Sequence, residues 1–135
     1  MAGSLTNAGE TLALNTVFGG TDDIYVGLAT STITETDDLA TIVEEDDANY
    51  IRELITFGLP IDDGAGGFKI ENDSLIEFPA FNAAADNNIT YAFITKEATA
   101  TSGDIIAFAD LGSGKQPGSG DKLYIPEGGL IITLN

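Results

Sequence analysis

The chain has 135 residues, 43% hydrophobic and 20% charged, which fits one folded domain over 1–135 and carries too much apolar material for a disordered segment. Five Lys+Arg against 22 Asp+Glu give a formal charge of -17, a field that repels phosphate backbones and anionic lipid, so neither nucleic acid nor membrane is an expected partner. With no Cys and no His, disulfides, thiolate nucleophiles, imidazole bases and Cys/His zinc sites are excluded.

Met1-Ala2-Gly3-Ser4-Leu5 has no basic segment ahead of an apolar run and does not read as a signal peptide. The longest apolar stretches, such as Ile105-Ile106-Ala107-Phe108-Ala109, run about five residues against the roughly 20 needed to span a bilayer. A soluble chain is expected. Residues 7–17 predict the one short helix, with Asn7 as cap, Glu10 three residues on as in a capping box, Gly19 as stop, and a narrow apolar stripe of Ala8, Leu12 and Val17.

From Ile24 onward the chain turns to short runs rich in Ile, Thr, Phe and Tyr, bounded by Gly, Asp, Asn and Pro, the composition of strands. These runs predict strands at 24–29, 31–34, 50–57, 69–70, 75–78, 89–95, 105–111, 122–125 and 130–134. Ile24, Val26 and Leu28 alternate as one apolar face, as do Ile89, Tyr91 and Phe93, and Leu130, Ile132 and Leu134, which predicts a shared core face. Ala92, Ile94, Ile106 and Ile131 make the opposite faces apolar too, so some strands should be covered on both sides. Residues 62–67 and 112–120, dense in Gly and Asp or Pro, read as exposed loops. The expected fold is mainly β, an antiparallel, jelly-roll-like β-sandwich with one N-terminal helix.

Acidic pairs recur at Asp22-Asp23, Asp37-Asp38, 44–47 and Asp62-Asp63. Clustered carboxylates in Gly-containing loops can supply oxygens to calcium, and Asp62 and Asp63 are the candidate ligands. None of the clusters has the spacing of a helix-loop-helix calcium loop, and the competing reading is of solvated loops that repel one another; no cofactor is required. A glycosidase would need two facing carboxylates, but none of the 22 acids is set apart by its neighbours as a proton donor. The Gly-rich 112–120 stretch lacks the phosphate-loop order. No catalytic residue is assigned, and an enzyme is not expected.

Arg52 is the only arginine. It stands beside Tyr50 in a predicted strand and serves either as the partner of a nearby Asp or Glu or as an intersubunit anchor. The segment Phe78-Pro79-Ala80-Phe81-Asn82-Ala83 is the best candidate for a buried contact with another chain, so Arg52, Tyr50, Phe78, Pro79 and Phe81 are the interface candidates.

The order of short motifs resembles that of a family of small tailed-bacteriophage virion structural proteins, tail fibre-like or capsid decoration-like. Leu5-Thr6-Asn7-Ala8-Gly9-Glu10 through Phe18-Gly19-Gly20 is similar to the family's opening helix, and Tyr25-Val26-Gly27-Leu28-Ala29-Thr30 to its Y-V-G-L strand. Ala48-Asn49-Tyr50-Ile51-Arg52 resembles a G-Y-A-R strand, Ile76-Glu77-Phe78-Pro79-Ala80 an I-x-F-P-x-A segment, and Thr90-Tyr91-Ala92-Phe93-Ile94 a T-x-F-G-I-F strand. The 103–109 and 125–134 segments resemble the family's last two strands. Gly9, Ala48 and the acidic, Gly-rich loops depart from the pattern.

The resemblance implies a β-sandwich virion component, assembled in the host cytoplasm, with no catalytic residues to carry over. Its expected role is capsid decoration, with the major capsid protein as partner. The alternative is a tail fibre or baseplate accessory with tail proteins as partners, and in either role a homo-oligomer. A calcium- or carbohydrate-binding module is the reading from a different class.

Overall fold

In the computed structural model, which describes residues 3–134, Thr6 rather than Asn7 caps the helix. Its side chain accepts a hydrogen bond from the Gly9 amide at 3.2 Å. The helix α1 (Asn7–Phe18) therefore begins one residue after the cap, which puts Gly9 where a capping box needs an acid and moves Glu10 one position too far along. Gly19 closes the helix as expected, its amide donating to Asn15 O at 3.0 Å. The buried face corrects the expected stripe: Glu10 and Leu14, one turn apart, point inward, while Ala8, Leu12 and Val17 are exposed. Met1 and Ala2, which open the amino-terminal segment considered above, and Asn135 lie outside the described residues.

The strands that follow are β1 (Ile24–Ala29), β2 (Glu53–Ile55), β3 (Ile61–Asp62), β4 (Phe68–Glu71), β5 (Ile76–Glu77), β6 (Ile89–Thr95), β7 (Ile105–Lys115), β8 (Tyr124–Ile125) and β9 (Ile131–Leu134). The fold is mainly β, with three antiparallel sheets in the orders β2-β1-β6-β7, β3-β4-β9 and β5-β8. No helix among the described residues is long and apolar enough to cross a membrane.

Two compact units divide these elements. The first holds the described residues up to Asp22, Ile55–Leu75 and those from Ile125 onward; the second holds Asp23–Leu54 and Ile76–Tyr124. In the first unit α1 packs against β4, the Phe18 and Phe57 rings meet edge to face at 5.3 Å, and Leu14, Phe57, Ile70 and Leu130 are buried. In the second unit β1 and β6 form an antiparallel pair with Val26 opposite Ile94, Gly27 opposite Phe93 and Leu28 opposite Ala92.

That register corrects the expectation of one shared face. The Val26 and Leu28 side chains lie on the same face as Ala92 and Ile94, whereas Phe93 lies on the face of Gly27 and Ala29. Both faces are buried, as the apolar even positions of β6 foretell, and Ala29, Ile33, Leu39 and Phe93 form a cluster on one of them. Ile131, also expected to be covered, is exposed.

Other boundaries moved for local reasons. Residues 31–34 form no strand, because Thr34 donates through its amide and hydroxyl to Asp37, both at 2.8 Å, and is held in a turn. Of the predicted strand 50–57 only Glu53–Ile55 pairs as a strand, so Tyr50 and Arg52 lie just ahead of β2. Residues 112–115, read as loop, continue β7, with Lys115 paired to Ile89. The two-residue strand β3, which the sequence pattern does not predict, forms a hairpin with β4 around the 63–67 turn.

Candidate functional site

A bridge between Ala29 and Glu44, with the Glu45 amide donating to Leu28 O at 2.9 Å, lays the 43–45 segment alongside β1. This places the Glu44 carboxylate where Arg52, eight residues on, grips both its oxygens: Nε donates to Oε1 at 2.8 Å and Nη2 to Oε2 at 2.6 Å. Nη1 donates to the Glu97 carbonyl at 2.7 Å, and the guanidinium carbon lies 5.6 Å from the centre of the Phe93 ring. The Arg52 side chain is buried at 4% exposure and Glu44 is partly screened at 24%. The hydrogen bonds it donates to Glu44 hold the Arg52 pKa above its already high value, so the charge is permanent.

Tyr50 completes the network. Its hydroxyl donates to Glu44 Oε1 at 2.8 Å and accepts from the Leu28 amide at 2.8 Å. Burial, and next the Glu44 charge, push the phenol pKa far above its ordinary value, so it acts as a neutral donor. The ring stacks on Phe78 with centroids 6.2 Å apart. A cavity of about 280 Å³ opens beside this cluster, with Ile51, Ala98, Thr99 and Thr101 also on its wall. Each polar atom of the cluster is engaged by another, and none is poised as a nucleophile with a base beside it.

The other interface candidates sit nearby in the same unit. Phe78 and Phe81 are buried within the chain itself, while Pro79 and Ala80 are half-buried. Asp47 holds the 78–85 segment down, accepting from the Asn82 amide at 3.0 Å and the Ala83 amide at 3.1 Å, and Asn49 donates to Ala80 O at 2.9 Å. These backbone bonds keep the Asp47 pKa below the usual carboxylate range. Thus Tyr50 meets Arg52 through the shared Glu44 carboxylate and stacks its ring on Phe78. Glu44 and Asp47 organise the site, and the sequence marks them only as members of the acidic run 44–47.

Asp62 and Asp63 turn the β3–β4 hairpin. Asp62 Oδ1 accepts from the Gly64 amide at 2.7 Å, and Asp63 Oδ1 accepts from the amides of Ala65 at 2.7 Å and Gly67 at 3.0 Å. These bonds hold the Asp63 pKa below its ordinary value. Among the described residues no group of three or more His, Cys, Asp or Glu side chains is gathered so as to hold a metal ion.

The sequence model of one family, described as Podophage GP4 fiber I protein gp80, matches residues 4–133. The chain belongs to this family. A search of curated proteins found no match. Membership makes the chain a component of a bacteriophage virion, as the resemblance in motif order implied.

Proposed function

We propose that this fiber I family member is a non-enzymatic structural component of the fibre assembly of a podophage, built into the particle through contacts with other virion proteins. The observation that carries the reading is the match of the fiber I family over residues 4–133. The closed Arg52–Glu44–Tyr50 network supports it, since every polar group there is spent on internal structure rather than aimed at a substrate. A capsid decoration protein would share the β-rich fold but follow the lattice in number.

Copy number separates the two. Quantitative mass spectrometry of purified virions, referred to the major capsid protein, is expected to return a few copies against hundreds of capsid subunits. A ratio near one, or a simple fraction such as one third, would place the chain on the capsid lattice and overturn the fibre reading.

A further inference from the structure

Among the described residues Leu59 is the most exposed of the large apolar side chains, at 79%, and Ile61 two residues on is 47% exposed. Both line a groove of about 400 Å³ in the first compact unit, together with Glu71, Asp73, Glu127 and Gly128. Two aliphatic side chains left in water beside three carboxylates form a surface of definite chemistry, because burial of Leu59 and Ile61 on association would contribute favourably only if the occupant also answers the acids.

The groove is preformed. Asn72, 2% exposed, donates from Nδ2 to the carbonyls of Ser74 and Pro126, each at 2.9 Å, and accepts at Oδ1 from the Leu130 amide at 2.8 Å. The Gly128 amide donates to Asn72 O at 2.9 Å, the Gly58 amide to Glu71 O at 3.0 Å, and the Asp73 amide to Thr56 O at 3.1 Å. One buried amide side chain thus ties the 71–74 and 126–130 segments together, and backbone bonds tie residues 56–58 to the same edge. Gly128, at φ +71°, makes the turn that a residue with a side chain would resist. A surface already held in shape loses little conformational freedom on binding.

The charges decide the occupant. Glu71 is paired with Lys69 at 2.8 Å and Asp73 accepts from Thr56, but Glu127 has neither hydrogen bond nor ion pair among the described residues. Three carboxylates against one lysine leave the groove negative. A second copy of a chain carrying -17 would bring like charge to an already acidic surface. We infer that the groove docks a basic peptide segment of a different virion protein, one presenting Lys or Arg to Glu127 and Asp73 and an aliphatic side chain to Leu59 and Ile61. The inference rests on the chain being a virion component and not on its place along the particle.

Zero-length carbodiimide cross-linking of purified virions, read by mass spectrometry, tests it. The expected products join Glu127, Asp73 or Glu71 to lysines of a virion protein of different sequence. Products joining these carboxylates only to lysines of other copies of this chain, or none at all while other carboxylates of the chain are linked to neighbouring proteins, would overturn it. A second arm uses Leu59→Glu and Glu127→Lys, both at exposed positions, each supplied in place of the wild-type chain during infection and checked for wild-type melting as purified protein. Incorporation into virions is expected to fall tenfold or more for each, and undiminished incorporation of both would overturn the proposal. Copy number in the same wild-type preparation reports separately on the fibre reading, so failure of one is distinguishable from failure of the other.

Discussion

The ring of Phe93 lies against the backbone of Gly27, directly across the β1–β6 pair, so closely that a methyl group at 27 would sit 2.3 Å from Cζ and 2.8 Å from both Cε atoms. Glycine is required here for space and not for an unusual backbone angle. The ring fills the gap that a side chain at 27 would otherwise occupy, and Phe93 is thereby completely buried, with Arg52 above it. A glycine inside a strand weakens the strand by itself, and the cross-strand aromatic offsets that weakness.

Gly27→Ala should therefore destabilise the protein by about 3 kcal/mol, the upper end of ordinary overpacking, because the displaced ring is buried on all sides. Urea denaturation of the purified variant measures this. Adding Phe93→Leu should make the double variant lose less than the sum of the two single losses, a favourable coupling that only direct contact produces. Strict additivity would show that the ring and the glycine do not share the space.

Glu44→Ala should cost about 3 kcal/mol, since it leaves the buried guanidinium without its counter-charge. Arg52→Lys keeps the charge but cannot reach Glu44 through two parallel bonds and the Glu97 carbonyl at once, and a loss of about 2 kcal/mol is expected. Tyr50→Phe removes the acceptor of the Leu28 amide, for about 1–3 kcal/mol. All three are read from denaturant midpoints at neutral pH. A Glu44→Ala loss below that of Tyr50→Phe would contradict the placing of Glu44 at the centre of the network.

Much of the second unit's sheet can be read from the sequence. The bounds of β1 and β6 follow directly from dense runs of Ile, Tyr, Phe and Thr stopped by Asp, Asn and Ser. Their pairing is another matter: Ile24 and Ile89 lie 65 positions apart, and nothing local says which positions meet, so alternation alone suggests one face where the register puts the stripes on two. The helix was legible, but Thr6 and Asn7 are both competent caps and local chemistry does not choose between them. The Arg52 partner was legible as a class only, because Glu44 is one of 22 acids and an eight-residue separation across irregular chain follows no helix or strand period. The Leu59 groove left no sequence signal at all, since Asn72 joins segments up to 58 residues apart.

Calcium should leave the fold unmoved. The Oδ1 atoms of Asp62 and Asp63 already accept backbone amides of their own turn, and two carboxylates fall far short of the roughly six to eight oxygens calcium requires. Any affinity weaker than about 50 mM gives less than about 0.1 kcal/mol at about 5 mM ion, a small fraction of a degree. The melting temperature in calcium should therefore match that in magnesium at equal ionic strength. A calcium-specific rise of several degrees, abolished by Asp63→Asn, would establish a site there.

The acid limb of stability should carry the signature of its capping aspartates. Asp37, Asp47 and Asp63 have folded pKa values depressed below 3.8 by hydrogen bonds, chiefly from the backbone amides of Thr34, Asn82 and Ala65 respectively. A depressed folded value means that the stabilisation is fully present above 3.8 and is lost as pH falls through the lower folded value. Glu53 acts in the opposite sense: burial raises its pKa, so its contribution favours the folded state at low pH and is lost as pH rises through that raised value. With no His or Cys in the chain, side-chain titration leaves stability flat between about pH 6 and 8. Melting temperature should hold over that range and fall steeply below about pH 3.8. Asp47→Asn, which keeps the shape but not the charge, should melt lower than wild type at pH 7 and converge with it in strong acid. A constant difference across the whole range would show that the amides of Asn82 and Ala83 do not depend on the charge of Asp47.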